Sequence, residues 1–305
     1  MLLCSAFVSA CAGPQLRVPQ ASPAAVELER QRQLGLLHDE QDLAFTNLIA
    51  QWRRVFSVYS RLRTGGADLC KSDVAPFWGL WLTDLMMFEP QDRDRAKRLL
   101  NFDNKVSILA VSGNAAKAGF RPGDTVTRIG GNSLPWTVGL SRTMELLQRA
   151  GMRSTEIEVA RDGKILTTTL APEVGCRYPV MIKRSSDIDT GTNGYLIEVD
   201  TVVIDLESND DELAHVIGHE MGHNVLGHVD RSKANATTGA ILGTIVDIGL
   251  LVGARVNTQG AFGRAGATAG RLAYSQDFER EADYMSLYFM LKSGFDPAKA
   301  ADAQR

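Results

Sequence analysis

The sequence has no excess of basic charge. Its 33 Lys and Arg stand against 36 Asp and Glu in 305 residues, for a formal charge of −3 and a pI near 6.0. That excludes the electrostatic footprint of a nucleic-acid-binding protein, so no nucleic-acid partner is expected and partners must be argued from particular sites. It also lacks an uninterrupted membrane-spanning run. The apolar stretch 237–256 is broken by Asp247 and by Gly239, Gly243, Gly249 and Gly253, short of the roughly 20 apolar residues that a bilayer-crossing helix needs. Small residues at that density suit close helix packing or a mobile cover over a site. Cysteine is scarce, with only Cys4, Cys11, Cys70 and Cys176. What remains is ordinary globular composition, 44% hydrophobic and 23% charged, in a chain long enough for two domains and a tail.

Residues 1–10 (MLLCSAFVSA) are apolar and rich in small side chains, and Cys11 follows them. The run Val8, Ser9, Ala10, Cys11 resembles the cleavage box of a bacterial lipoprotein signal peptide. It departs from that pattern in having no Lys or Arg before Arg17, where a signal peptide carries its basic start. The resemblance implies a signal segment over 1–10, membrane contact through lipidated Cys11, and a periplasm-facing lipoprotein of the bacterial cell envelope. Residues 11–25, rich in Pro, Ala and Ser, read as a tether. Loss of Cys4 and lipidation of Cys11 leave Cys70 and Cys176. An even pair in an oxidising compartment suggests a disulfide, whereas in a cytosolic protein the same two would be buried thiols.

Residues 26–101 read as an N-terminal helical region, because from Val26 to about Tyr59 the positions Leu34, Leu37, Leu43, Leu48, Trp52, Val55, Phe56 and Tyr59 recur at helical spacing. Residues 102–172 have another texture, short alternating runs separated by Gly, Pro and Asn, with Asp162-Gly163 as a hairpin signal. Within them AAKAGFRPGDTVTRIGGNSL (Ala115 to Leu134) resembles the PDZ domains of bacterial envelope proteases. That implies a module binding an extended peptide or chain end as an added strand. From Tyr178 to about Ser208 the pattern reads as β-structure. Asn209-Asp210-Asp211-Glu212 then opens a helix, with Asn209 or Asp210 as cap and acidic residues at the positive dipole end.

That helix carries H-E-x-x-H in His219, Glu220 and His223. Residues four apart share a helix face, so two imidazoles can converge on one ion, with a carboxylate beside them to take a proton from water. The motif recurs by chance about once in 8000 positions, so its force depends on what accompanies it. A catalytic zinc site keeps three protein ligands and one open position. Downstream, Glu279 and Asp283 share a helix face, with Asp283 placed to accept the N–H of a ligating histidine. Glu281 is two residues off that spacing and is expected to point away. Gly and His at three and six residues beyond His223 would mark a metzincin, but Leu226 and Val229 stand there. His215, His228 and His38 read as histidines hydrogen-bonded nearby rather than ligands.

Together ELAHVIGHEMGH and S-x-x-x-E-x-E-A-D (Ser275, Glu279, Glu281, Ala282, Asp283) resemble the gluzincin family that includes the CAAX prenyl protease and the heat-shock protease HtpX, and more particularly its soluble bacterial envelope branch. The resemblance spans about Tyr195 to Pro297. It implies an α+β fold, with a gluzincin-type metallopeptidase domain over 173–305 behind the PDZ domain. It also implies one Zn²⁺ held by His219, His223 and Glu279, Glu220 as general base, Asp283 as orienting residue, and polypeptide substrates. Members usually continue with an H-P…R segment near the active site, which is not seen up to Arg305. The rival reading is a peptide-binding envelope assembly factor or chaperone with a latent zinc site.

Overall fold

The computed structural model describes residues 23–135, 139–185, 190–272 and 275–303. The signal segment, Cys11 and nearly all of the tether lie outside the described residues. The chain divides into two units, residues 1–44 and 45–305. In the first, helix α1 (Pro23–Gly65) begins, and Leu28, Leu34, Leu37 and Leu43 are exposed on it. In the second, the same helix carries a stripe of buried residues at helical spacing, Phe45, Ile49, Val55, Tyr59 and Leu62.

Helix does not continue through residue 101. Two strands follow, β1 (Val74–Phe77) and β2 (Leu80–Thr83), before helix α2 (Arg93–Leu100). Pro76 has no N–H to give a helix, and Phe77, Trp78 and Trp81 favour a pleated, half-buried surface. Strand β2 then joins the module behind it. That module runs through β3 (Ser107–Val111), α3 (Gly113–Lys117), β4 (Thr125–Ile129), β5 (Asn132–Ser133), α4 (Leu140–Ala150), β6 (Thr155–Arg161) and β7 (Lys164–Leu170). Its six-stranded antiparallel sheet has the order β2-β3-β4-β6-β7, with β5 paired to β4. The β6–β7 turn falls on Asp162 and Gly163, both at positive φ (50° and 74°), as a type I′ hairpin requires. Leu146 and Leu147 of α4 close the module's core over Ile108, Val126, Ile129, Ile157 and Val159.

Strand β8 (Glu173–Cys176) returns antiparallel to β1 with Val74 opposite Cys176, and Cys70 and Cys176 form a disulfide. A three-stranded sheet follows, ordered β10-β11-β9, in which β9 (Val180–Lys183) runs parallel to β11 (Ile197–Asp200) and β10 (Thr190–Thr192) is an antiparallel edge. The β-structure read from the sequence stops at Asp200. Residues Thr201–Leu206 form helix α5, turning Val203 and Ile204 into the core, so packing overrides the β preference of this run.

Helices α6 (Asp210–Val225), α7 (His228–Gly249), α8 (Ala261–Leu272), α9 (Ser275–Lys292) and α10 (Ala300–Ala303) complete the fold. Leu213, Ile217 and Met221 of α6, Ile197 and Val199 of β11, Phe289 and Met290 of α9, and Val55 and Leu62 of α1 share one buried cluster. Helices α7 and α8 pair along glycines. A Cβ on Gly239 would run into the Gly266 carbonyl oxygen, and one on Gly243 into that of Phe262. Among the described residues no helix is long and apolar enough to cross a membrane.

Candidate metal centre

The N-terminus of α6 is fixed by Asn209. Its Oδ1 accepts the backbone N–H groups of Asp211 and Glu212, while the Glu212 carboxylate accepts that of Ser208. This reciprocal capping leaves His219, Glu220 and His223 in the last two turns of the helix. Helix α9 reaches them because the facing side chains are small. A Cβ on Gly222 would lie 3.0 Å from the Ala282 carbonyl oxygen and 3.1 Å from Met285 Cβ, and one on Gly218 3.0 Å from Ser286 Oγ. Gly218 and Gly222 therefore let α9 come close enough for its carboxylates to meet the histidines. Sequence reasoning named Ala282 only as part of the downstream motif and did not single out these glycines or Ser286; the i, i+4 spacing on both helices was the available signal.

The structure brings His219, His223 and Glu279 together. The two Nε2 atoms are 3.0 Å apart, and Glu279 Oε2 lies 3.2 Å from His219 Nε2 and 3.5 Å from His223 Nε2. A tetrahedral ion with ligand bonds of about 2.0–2.2 Å would space its ligands about 3.3–3.6 Å apart, within a few tenths of an ångström of these separations, so this donor set fits a zinc-sized divalent cation. Asp283 Oδ1 is 2.8 Å from His219 Nδ1, which leaves Nε2 of that ring to the ion. Glu220 is buried at 8% exposure on α6, next to His219. Burial, then the neighbouring His219, lowers the His223 pKa to about 4, and burial also lowers those of His215 and His228. A ring held neutral is the ligating form.

The remaining histidines differ. His38 is exposed in the first unit. His215 is buried with Nδ1 2.8 Å from Ser286 Oγ, whose hydroxyl donates to the His215 carbonyl, so it braces α9 rather than joining the cluster of His219, His223 and Glu279. His228 is more than an ordinary buried histidine. Gly227, at φ 67°, reverses the chain after α6 so that His228 Nδ1 returns to 3.0 Å from His223 Nδ1. Glu281 stays out of the cluster of His219, His223 and Glu279, as its spacing predicts, but its Oε2 sits 3.0 Å from His228 Nε2. That contact was not foreseen, because the spacing argument considered only the face of α9 toward the ion and not the start of α7.

Residues 179–304 match Peptidase family M48, so the segment that carries both α6 and α9 is the one that matches a peptidase family. Among similar proteins, metalloprotease LoiP of Escherichia coli (strain K12) is 32% identical over 142 residues, covering 44% of this chain and 55% of that protein. Mitochondrial metalloendopeptidase OMA1 of Arabidopsis thaliana is 36% identical over 104 residues, covering 34% and 20%. The β-barrel assembly-enhancing protease of Escherichia coli (strain K12) is 29% identical over 94 residues, covering 29% and 19%. The chain thus spans about half of LoiP and about a fifth of the other two. Solved structures with local similarity include the HtrA3 PDZ domain bound to a phage-derived ligand, at 22% identity and TM-score 0.26, covering 33% of this chain and 88% of that one. The HtrA-type protease AlgW with a decapeptide stands at 23% identity and TM-score 0.27, covering 35% and 30%.

Proposed function

We propose that the protein is a zinc-dependent metalloendopeptidase of gluzincin type that cleaves unfolded or misassembled proteins of the bacterial cell envelope. The observation that carries this reading is the convergence of His219 Nε2, His223 Nε2 and Glu279 Oε2, with the far nitrogen of His219 already held by Asp283. The match to Peptidase family M48 and the relatives named as a metalloprotease, a metalloendopeptidase and a protease support it. One zinc ion held there supplies Lewis-acid polarisation of the scissile carbonyl. Glu220 takes the proton from the attacking water and passes it to the leaving amine, and Asp283 holds the His219 ring in register.

Strand β10 is an edge of its sheet among the described residues, and Thr192 on it donates to Asn224 of α6 at 2.7 Å. An extended substrate pairs along that edge, so polypeptides lacking stable structure are the class that fits. Residues 102–172, read as a PDZ domain, offer a second peptide-binding surface for an extended segment or chain end. Lipidated Cys11 would hold the protein at the periplasmic face of a membrane.

The test is Glu220→Gln, which keeps shape and hydrogen bonding but cannot accept the proton. It is expected to retain parental zinc content while cleavage of unfolded casein falls by about 10²–10⁴-fold. Undiminished cleavage would mean the activity belongs to another site. A parent protein that binds zinc and captures peptides but never cuts them would establish the assembly-factor reading instead.

A further inference from the structure

His219 is oriented directly by a carboxylate, whereas its partner ligand His223 has no carboxylate on its far nitrogen. The atom facing His223 Nδ1 is instead His228 Nδ1, at 3.0 Å, and the other nitrogen of His228 meets Glu281 Oε2 at 3.0 Å. Two nitrogens at that distance share one proton, and the ion decides which holds it. With His223 Nε2 turned to the cation, its Nδ1 carries the hydrogen and donates, so His228 Nδ1 must accept. His228 then bears its own hydrogen on Nε2, where the Glu281 carboxylate accepts it. One tautomer assignment therefore satisfies every atom of the chain His223, His228, Glu281.

The surroundings hold His228 in that pose. It is 2% exposed, its ring stacks on Phe278 at 4.5 Å between centroids with planes 11° apart, and Arg231 covers the same Phe278 while lying 3.4 Å from Glu281. Gly227 gives the tight reversal that starts α7 at this residue.

We propose that His228 and Glu281 are positioning residues for the metal site: a relay that fixes the tautomer and ring orientation of His223, as Asp283 does directly for His219. This rests on the zinc reading of the centre and adds to it a second orienting branch. The pair touches neither substrate nor ion; it acts on affinity through His223. Loss of an orienting partner of a ligand typically costs roughly 10–100-fold in metal affinity. The cost falls on the loaded form, where His223 Nδ1–H would be left buried without an acceptor. In the metal-free protein His223 is free to shift its hydrogen to Nε2.

Zinc affinity is measured by chelator competition on the full chain, together with the thermal midpoint of the metal-free protein and the visible spectrum of the Co²⁺ form. His228→Phe keeps the stacked ring but removes the acceptor. It is expected to weaken zinc by roughly 10–100-fold and to shift the Co²⁺ bands, with the metal-free midpoint unchanged. Glu281→Ala, at a half-exposed position, is expected to weaken zinc by a smaller factor. His228→Gln carries an amide oxygen and an N–H to stand in for the two ring nitrogens, and is expected to bind more tightly than His228→Phe. Parental affinity in both His228→Phe and Glu281→Ala overturns the relay, as does equal weakness of His228→Gln and His228→Phe. A fall in affinity matched by an equal loss of metal-free stability reduces the pair to packing and overturns it too. A parent protein that binds no zinc would instead sink the zinc reading itself.

Discussion

The Cys70–Cys176 disulfide closes a loop of 106 residues that contains all of β1 through β7 and most of β8, and so the whole six-stranded sheet. In the chain-entropy treatment a cross-link over that length removes about 4.8 kcal/mol worth of unfolded-state freedom at 25 °C. Residual structure in the unfolded chain reduces the net figure, because it lowers the entropy available to be lost. Both cysteines are buried, at 3% and 0% exposure, so the double substitution Cys70→Ala/Cys176→Ala also leaves a small void. The expected loss is about 3–5 kcal/mol, equivalent to roughly 6–20 °C in thermal midpoint for a unit of this size. Urea unfolding followed by tryptophan fluorescence, with and without reductant and in the double variant, measures it. A loss below about 1 kcal/mol in both comparisons would refute the argument that this staple restrains the unfolded chain.

Glu279→Ala removes one of the three proposed ligands and is expected to abolish stoichiometric zinc binding at micromolar protein, read by metal analysis after gel filtration; full retention would remove Glu279 from the ligand set. Gly222→Val pushes atoms into the Ala282 carbonyl, already 3.0 Å from a single added Cβ, and is expected to cost about 1–3 kcal/mol from overpacking and to weaken metal binding as α9 moves away. Gly191→Ala, with nothing within 4 Å of its added Cβ, is the control, and equal behaviour of the two would sink the close-approach argument. Metal-free stability is expected to fall as the pH drops from 6.5 toward 4. In that window the unfolded chain takes up a proton on His223 that the folded protein refuses, and the lowered pKa values of His215 and His228 act in the same direction. A urea midpoint that rises between pH 7 and pH 5 would contradict it.

The fold was legible where one period ran uninterrupted. The helical stripe from Phe45 to Leu62 belongs to a single helix, and Asp162-Gly163 sits in the two positive-φ positions of a two-residue hairpin turn. It was illegible where a short apolar run fits either state. Residues 74–83 and 201–206 have similar β-prone composition, yet the first pair as strands and the second coil into α5. What separates them is which neighbour each can bury against. Strand β2 finds the open edge of β3, while Val203 and Ile204 turn into the core beside β11. That information lies more than 20 residues away for one and in the tertiary packing for the other.

The candidate metal centre divides along a similar line. The convergence of His219 and His223 was readable because residues four apart share one helix face, and that of Glu279 and Asp283 upon them because a second face repeats the spacing. Helical periodicity says nothing about what happens once a helix ends, and there the reading stopped. His228 lies five residues from His223 and would point elsewhere on a continuous helix. It returns to His223 only because Gly227 takes the left-handed conformation and starts a new axis. Glu281 then meets His228 because α9 lies against both α6 and the start of α7, and it lies that close to α6 because Gly218 and Gly222 offer no side chain to keep it away. The residues that bear charge at this centre were therefore visible as chemistry. The glycines that decide which of those charges meet were visible only as spacing, and their role follows from the approach of two helices that no single segment encodes.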